Sequence, residues 1–282
     1  MNTRIESFIL NENLDEIANK IKFFFSNKGH VAIIKNTHLY NDDIIINTYN
    51  DLNSKIGKLI PIDLVKDTYE QSGNYWADVK YDYGSDEKQF WRSSNHQNLH
   101  TDNTFADKDH YANLTELVCF KPSEYSGHTV VISNNKIVEL IKFCDKHRGT
   151  NLYNKILNKE IFHSAGRDLY LKNKILTYDE KNNQYLFCFN YYPASRGNNT
   201  EEDMEIITEL HNFLEEKIMI SSDLMDEIKL NKGDALIFND ELIMHGRKSF
   251  IGTRYYKKTG ILLDEACFNN KMNFNLEPQN KN

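Results

Sequence analysis

The chain has 282 residues, and its 34 lysines and arginines against 41 aspartates and glutamates give a net charge of −7. An acidic chain without a Lys/Arg cluster lacks the basic surface that nucleic acids require, and anionic membranes are disfavoured for the same reason. The N-terminal residues are too polar for a signal peptide, and no stretch approaches ~18 apolar residues. We therefore expect a cytoplasmic protein without nucleic-acid or membrane partners.

The first third of the sequence alternates helix and strand patterns. Apolar spacing over residues 13–28 predicts a helix, the β-branched run 30–35 a buried strand, and residues 42–52 a second helix. Residues 65–98 are aromatic and charged without a steady period. We interpret that segment as a long structured loop with short strands, a lid-like insertion of the kind that often covers a site.

The remainder is rich in strands. The predicted strands cover residues 114–120, 129–133, 185–192, 234–238 and 254–263, and two helices are predicted over 135–146 and 200–217. The second helix opens with Thr200 and Asp203, a capping-box spacing. Many short strands with few crossover helices favour an α+β fold with a mainly β core, an antiparallel barrel or jelly roll. Without repeats or linkers, residues 1–282 are expected to form a single domain, with 269–282 as a frayed tail.

Two residues, His100 and Asp102, form a His-x-Asp pair. On a strand, residues i and i+2 point to the same face, so this imidazole and carboxylate would converge. Such a pair could equally be a surface histidine beside a turn aspartate. A distant histidine, His245, closes the short apolar run 242–244 and would complete a set of two imidazoles and one carboxylate. That set occupies one face of an octahedron and leaves three sites free, as in non-haem Fe(II) oxygenases.

Basic residues follow His245 on the last predicted strand. Arg254, Tyr256 and Lys258 would share one strand face, with the two cations about 13 Å apart. This face could simply be solvated. Behind a metal site, however, the arginine fork could bind a carboxylate bidentately, and the lysine could hold an anionic group of another ligand.

The order of these motifs resembles a known family. In chain order, the motifs are His100-Thr-Asp102, Ser126-Gly-His-Thr129, Gly233-Asp-Ala-Leu-Ile-Phe-Asn-Asp240, and His245-Gly-Arg247 with Arg254. This series is similar to the taurine dioxygenase and clavaminate synthase superfamily of iron(II)/2-oxoglutarate oxygenases. The match spans about residues 29–263. It implies a double-stranded β-helix, or jelly roll, with flanking helices.

The resemblance also implies roles for individual residues. His100, Asp102 and His245 would ligate iron, Arg254 would bind the distal carboxylate of 2-oxoglutarate, and the Thr129 hydroxyl would contact the same co-substrate. With Fe(II), 2-oxoglutarate and O2, the expected reaction is hydroxylation of an unactivated C–H bond with release of succinate and CO2. Desaturation or cyclisation in a biosynthetic pathway, a zinc hydrolase with the same ligands and a catalytically inert metal-binding jelly roll are the alternatives.

The substrate expected from the resemblance is a small amino acid or amino-acid derivative, free or bound to a carrier protein. A protein or nucleic-acid oxygenase is disfavoured by the size and the charge of the chain. Lys258 lies where several members of the family hold an anionic substrate group with arginine, although lysine offers a point charge instead of a planar fork. The other predicted substrate-side residues are Arg196, His96 and Asn98.

Overall fold

The computed structural model describes residues 2–60, 75–81, 93–102, 104, 111–166 and 169–263. The helices of these ranges are α1 (Leu14–Ser26), α2 (Asp42–Ile56), α3 (Asn134–Arg148), α4 (Leu152–Ile156), α5 (Tyr191–Ser195) and α6 (Glu201–Phe213), with a π-helix over Leu214–Met219 and a 3-10 turn over Ser222–Leu224. The strands are β1 (Ile5–Ile9), β2 (Val31–Lys35), β3 (Gly57–Ile60), β4 (Ala77–Tyr81), β5 (Gln97–His100), β6 (Leu114–Lys121), β7 (Tyr125–Ser126), β8 (Thr129–Ser133), β9 (Glu160–Gly166), β10 (Leu169–Lys174), β11 (Leu176–Asp179), β12 (Gln184–Phe187), β13 (Asp226–Ile228), β14 (Ala235–Asn239), β15 (Ile243–Arg247), β16 (Phe250–Ile251) and β17 (Arg254–Leu263).

Two sheets form the frame. The major sheet has seven strands in the order β1-β2-β14-β6-β17-β3, with β4 also paired to β17, and the minor sheet has four in the order β13-β8-β15-β5. Within these two sheets all pairings are antiparallel except that of β1 with β2. Three two-stranded pairs, β9 with β10, β11 with β12, and β7 with β16, lie outside them.

Three apolar clusters cover the faces of the two sheets. Helices α1 and α2 pack on the outer face of the major sheet, and α3 and α6 cover the outer face of the minor sheet. A third cluster combines residues of both sheets, among them Leu117, Tyr256, Val131 and Ile243, and therefore lies between them. Side chains that share a strand face with these residues point into the space between the sheets.

The predicted strand-rich α+β class is confirmed, and most predicted elements are found within a few residues of their expected ends. The helix expected at residue 200 begins with a capping box, in which Thr200 and Asp203 exchange side-chain-to-backbone hydrogen bonds of 3.2 Å in both directions. Such reciprocal bonds satisfy two otherwise unpaired N–H groups of the first turn.

One predicted strand is too long. Residues 185–192 were expected to be a strand, but β12 ends at Phe187 and α5 begins at Tyr191. The Asn190 side chain accepts the backbone N–H of Tyr192 and so caps a helical turn inside an otherwise apolar run. The apolar run indicated burial correctly, but it did not indicate the turn.

Several expectations concern segments that lie largely outside the described residues. Most of the lid-like insertion over 65–98 and the whole tail over 269–282 fall outside them; within the insertion, β4 is described as a partner of β17. The lid and the single-domain organisation stay predictions. Among the described helices, none is both long and apolar enough to cross a membrane.

Candidate active site

The minor sheet brings the two histidines together. Strands β5 and β15 run antiparallel, and His245 is the register partner of His100. On β15, Ile243 belongs to the cluster between the sheets, so His245, two residues further, points into the same interior. Asp102 follows β5 by two residues and completes the group. The pairing of these two strands is thus what places residues from distant parts of the sequence side by side.

The three side chains converge on one point. One ligand atom from each of His100, Asp102 and His245 lies within 4.8 Å of the others. Asp102 Oδ1 lies 3.6 Å from His100 Nε2, and Oδ2 lies 3.5 Å from His245 Nε2. The ring centroids of the histidines are 4.3 Å apart.

Hydrogen bonding orients His100, and burial acts on the pKa of His245. His100 Nδ1 lies 2.8 Å from the carbonyl oxygen of Asn98, which can only accept, so Nδ1 carries a proton and Nε2 is the ring nitrogen left to face Asp102. Burial, reinforced by the His100 and Lys258 charges, holds the pKa of His245 well below its usual value despite the Asp102 carboxylate. The low pKa keeps His245 neutral, and the Nε2 atom of each ring lies beside the Asp102 carboxylate.

The carboxylate is ionised. Burial opposes ionisation, but the Lys258 ammonium, His245 and His100 together hold the pKa of Asp102 well below its usual value. Lys258 Nζ donates to Asp102 Oδ1 across 2.6 Å, whereas the buried Oδ2 has no hydrogen-bond partner among the described residues. An unpartnered anionic oxygen beside the Nε2 atom of His245, with His100 Nε2 near the other oxygen of the same carboxylate, fits a divalent metal of the Fe(II) type.

A further carboxylate, Asp240, supports this group and was not among the predicted site residues. Both of its oxygens accept the backbone N–H of Asp102, at 2.9 and 3.0 Å. Its Oδ1 also lies 3.8 Å from His245 Nδ1. In the sequence, only the position of Asp240 directly after the predicted strand 234–238 pointed to it. Its contacts with Asp102 and His245 could not be predicted, because they depend on how two distant strands pair.

A second polar region also faces the space between the sheets. Arg254 shares the inner face of β17 with Tyr256 and is 4% exposed, with its guanidinium carbon 3.7 Å from the Tyr256 ring centroid. Thr129, at 3% exposure, is the register partner of Arg247 on the neighbouring strand β15. The two predicted co-substrate residues, Arg254 and Thr129, therefore face the same interior as the histidines.

Arg247 is a second buried cation of this region, and its role was not predicted. It donates to the carbonyl oxygens of Ser93 and Asn95 at 2.7 Å each, and burial, helped by the Arg254 charge, lowers its pKa to about 9. Within the described ranges, neither Arg247 nor Arg254 forms an ion pair with a carboxylate. Two buried guanidinium groups near a threonine hydroxyl can bind an anion such as a carboxylate. In the sequence, the spacing His245-x-Arg247 indicated this position, because it puts both side chains on one strand face.

The predicted substrate-side residues lie in two places. Lys258 and Asn98 lie in the interior. Asn98 is 3% exposed and shares a strand face with His100. Neither polar atom of the Asn98 side chain has a hydrogen-bond partner among the described residues. His96 and Arg196 are exposed; His96 Nε2 pairs with Glu215 Oε2 at 2.8 Å, and Arg196 follows the end of α5.

The chain matches a known protein family over most of its length. A family model described as "Taurine catabolism dioxygenase TauD, TfdA family" matches residues 25–259 of the chain. No curated protein sequence matches the chain.

Solved structures with the same fold share little sequence with the chain. The PvcB protein from Pseudomonas aeruginosa is 12% identical, with 93% of this chain and 87% of that chain covered at a TM-score of 0.62. An asparagine oxygenase in complex with Fe(II), hydroxyasparagine and succinate is 12% identical, with 91% and 93% covered at 0.58. The non-haem iron oxygenase OrfP, in complex with Fe and α-ketoglutaric acid, is 12% identical, with 92% and 94% covered at 0.59.

Proposed function

Because this chain belongs to the TauD/TfdA family of iron(II)- and 2-oxoglutarate-dependent dioxygenases, we propose that it hydroxylates an unactivated C–H bond of a small amino acid or amino-acid derivative. The observation that carries the proposal is the convergence of two imidazoles and the Asp102 carboxylate, each with one ligand atom within 4.8 Å of the others. We assign His100, Asp102 and His245 as the iron ligands.

The other interior residues would bind and orient the co-substrate. When bound, iron and 2-oxoglutarate supply with O2 the oxidising power for hydroxylation, and succinate and CO2 are the co-products. The Arg254 guanidinium would bind the distal carboxylate of 2-oxoglutarate, with the Thr129 hydroxyl donating to the same group. Arg247 adds a second positive charge to this region, and its bonds to the 93–95 backbone hold the segment that precedes β5.

An amino-acid substrate is supported by the charges near the proposed iron ligands and by the neighbouring structures. Asparagine oxygenase was crystallised with a hydroxyasparagine, and OrfP with (3S)-hydroxy-L-Arg. In this chain, Lys258 lies beside Asp102 with 16% of its side chain exposed and could also donate to a substrate carboxylate. The unpartnered Asn98 amide can donate to or accept from a polar substrate group. The substrate-side roles of Arg196 and His96 stay predictions; because both residues are exposed, they would serve a substrate that reaches the surface.

The direct test is substrate-stimulated succinate formation across a panel of free amino acids, with mass detection of the product. The proposal predicts that at least one amino acid stimulates decarboxylation and gains one oxygen atom. A product lacking two hydrogens would instead identify desaturation or ring closure. The Asp102→Gly variant serves as the inactive control. If no amino acid stimulates succinate formation, the free amino-acid substrate is excluded, and aminoacyl carrier proteins become the next panel.

A further inference from the structure

The carboxylate of Asp240 connects the two segments that carry the proposed metal ligands. It accepts the backbone N–H of Asp102 with both oxygens, at 2.9 and 3.0 Å, on the segment that follows β5. On its other side, Oδ1 lies 3.8 Å from Nδ1 of His245 on β15. Asp240 is only 2% exposed, so these contacts are made away from water.

The backbone around Asp240 is fixed independently of the ligands. The Asp240 N–H donates to the Asn113 carbonyl at 3.1 Å, and the next residue, Glu241, donates its N–H to the Asn239 side chain at 3.0 Å. The Asn134 side chain donates to the Glu241 carbonyl at 2.7 Å. These bonds hold the corner between β14 and β15 against β6 and α3. The backbone that carries the Asp240 carboxylate is therefore held by contacts that do not involve the proposed metal ligands.

The two histidines differ in what supports them. His100 Nδ1 already donates to the Asn98 carbonyl at 2.8 Å, whereas His245 Nδ1 has no hydrogen-bond partner in the described part of the chain. Asp240 Oδ1, an acceptor, lies 3.8 Å from this nitrogen. A metal-bound histidine almost always donates its other ring N–H to a carboxylate, carbonyl or water, which fixes the ring and raises its basicity.

We propose that Asp240 is a positioning residue of the metal centre: it fixes the backbone of Asp102 and accepts Nδ1–H of His245, and thereby sets the affinity for the metal. This inference rests on the proposed function, because it assumes that the triad binds a metal. Asp240 touches neither substrate nor co-substrate in this account, so it acts only through the two ligands.

The experiment is anaerobic titration of the metal-free full-length chain with Co(II), followed by its visible absorption. Asp240→Ala removes both contacts and should weaken Co(II) binding about 10- to 100-fold. Asp240→Asn keeps an oxygen for the Asp102 N–H but loses the charge, and should lie between the wild type and Asp240→Ala. Wild-type Co(II) affinity in both folded variants would overturn the proposal.

A matched control stands at the other end of the same strand. Asp234 directly precedes β14, is 1% exposed, and accepts the backbone N–H groups of Asn36 and Asn231. Asp234→Asn should lower thermal stability while leaving Co(II) affinity unchanged. If Asp234→Asn weakens Co(II) binding as much as Asp240→Asn does, the effect is general destabilisation, and the proposal is overturned.

Two further measurements distinguish a failure of the Asp240 inference from a folding defect and from a failure of the proposed function. In Co(II)-loaded wild type, the proposal predicts two hyperfine-shifted, slowly exchanging ring N–H protons, from His100 and His245; a single one contradicts it without any variant. The His245→Ala variant tests the metal site itself. If His245→Ala binds Co(II) like the wild type, the proposed function fails together with the inference. If only the Asp240 variants are unaffected, the inference alone fails.

Discussion

Lys258 donates to Asp102 across 2.6 Å, so an ammonium group on a strand of the major sheet neutralises the carboxylate that completes the triad. The two side chains are 16% and 12% exposed, which makes this a largely desolvated ion pair. Removing one partner of such a pair leaves an uncompensated buried charge. In the metal-free protein, Lys258 therefore supplies the positive charge that stabilises the buried Asp102 carboxylate, a role that a bound metal would also fill.

Lys258→Met should destabilise the metal-free protein by about 3 kcal/mol, because the Asp102 carboxylate loses its counter-charge. A bound divalent metal restores that counter-charge, so Co(II) should raise the melting temperature more in the variant than in the wild type. Thermal denaturation with and without Co(II) measures both effects. Lys257→Met is the matched control, since Lys257 pairs with Asp78 at 2.8 Å at the periphery. An equal Co(II) response in wild type and Lys258→Met would contradict this role.

Arg254→Met should raise the KM for 2-oxoglutarate by at least about 30-fold, because truncating one member of a buried charge pair costs roughly 2–5 kcal/mol. Thr129→Val removes one hydroxyl hydrogen bond and should raise the same KM only about 5-fold. Succinate formation at varied 2-oxoglutarate concentration gives both values. Metal affinity should be unchanged in both variants, and an unchanged KM for 2-oxoglutarate in Arg254→Met would remove Arg254 from the co-substrate site.

Gly246, between His245 and Arg247, marks a close approach of β15 to β5. A Cβ atom there would lie 2.6 Å from the Gln97 carbonyl oxygen, so Gly246→Ala must push apart the strands that pair His100 with His245. We expect a loss of about 1–3 kcal/mol in stability together with weaker Co(II) binding. Gly149→Ala is the control: Gly149 has φ +70° and no atom within 4 Å of an added Cβ, so it should cost about 1 kcal/mol without changing Co(II) affinity. Equal Co(II) affinities for wild type and Gly246→Ala would show that the strand spacing tolerates the methyl group.

Glu116 on β6 should make stability depend on pH. It is fully buried beside Asn53, which donates a hydrogen bond to it, and burial raises its pKa to about 8 from 4.5 in the unfolded chain. The folded state keeps the proton that the unfolded state releases, so stability falls as pH rises from about 4.5 to about 8 and changes no further above that range. Glu116→Gln should flatten this dependence and exceed the wild type in stability at about pH 8.

Chemical denaturation between about pH 5 and pH 8 measures the effect of Glu116→Gln. Glu205→Gln, at an exposed position on α6, provides the control and should keep the wild-type slope. A wild-type slope in Glu116→Gln would mean that another group causes the pH dependence.

Much of the fold follows from local patterns. The helical spacing before Gly29, the capping box at Thr200 and the apolar strand runs each reflect short-range physics, and they correspond to α1, α6 and the main strands. The family, the activity class and the cofactors inferred from the motif order are confirmed by the family match. The roles of the individual site residues stay predictions.

Long-range relations could not be predicted in the same way. No local pattern indicates that β15 pairs with β5 in the register that sets His245 opposite His100, or that Asp240 reaches the backbone of Asp102. The strand predicted over 185–192 ends early, and the Asn190 side chain accepts a hydrogen bond from the Tyr192 backbone N–H at the start of a helical turn. The contacts of Arg247 with the carbonyl oxygens of Ser93 and Asn95 likewise depend on tertiary structure, since about 150 residues separate the partners.

The measurement that tests the central claim most directly is the visible absorption of the anaerobic protein on addition of Fe(II) and 2-oxoglutarate. The account predicts a weak metal-to-ligand charge-transfer band that requires both additions. The band should be lost in His245→Ala and should need higher 2-oxoglutarate in Arg254→Met, while Asp234→Asn should retain it. Absence of the band in the folded wild type, or its full retention in His245→Ala, would contradict the assignment of His100, Asp102 and His245 as the iron site.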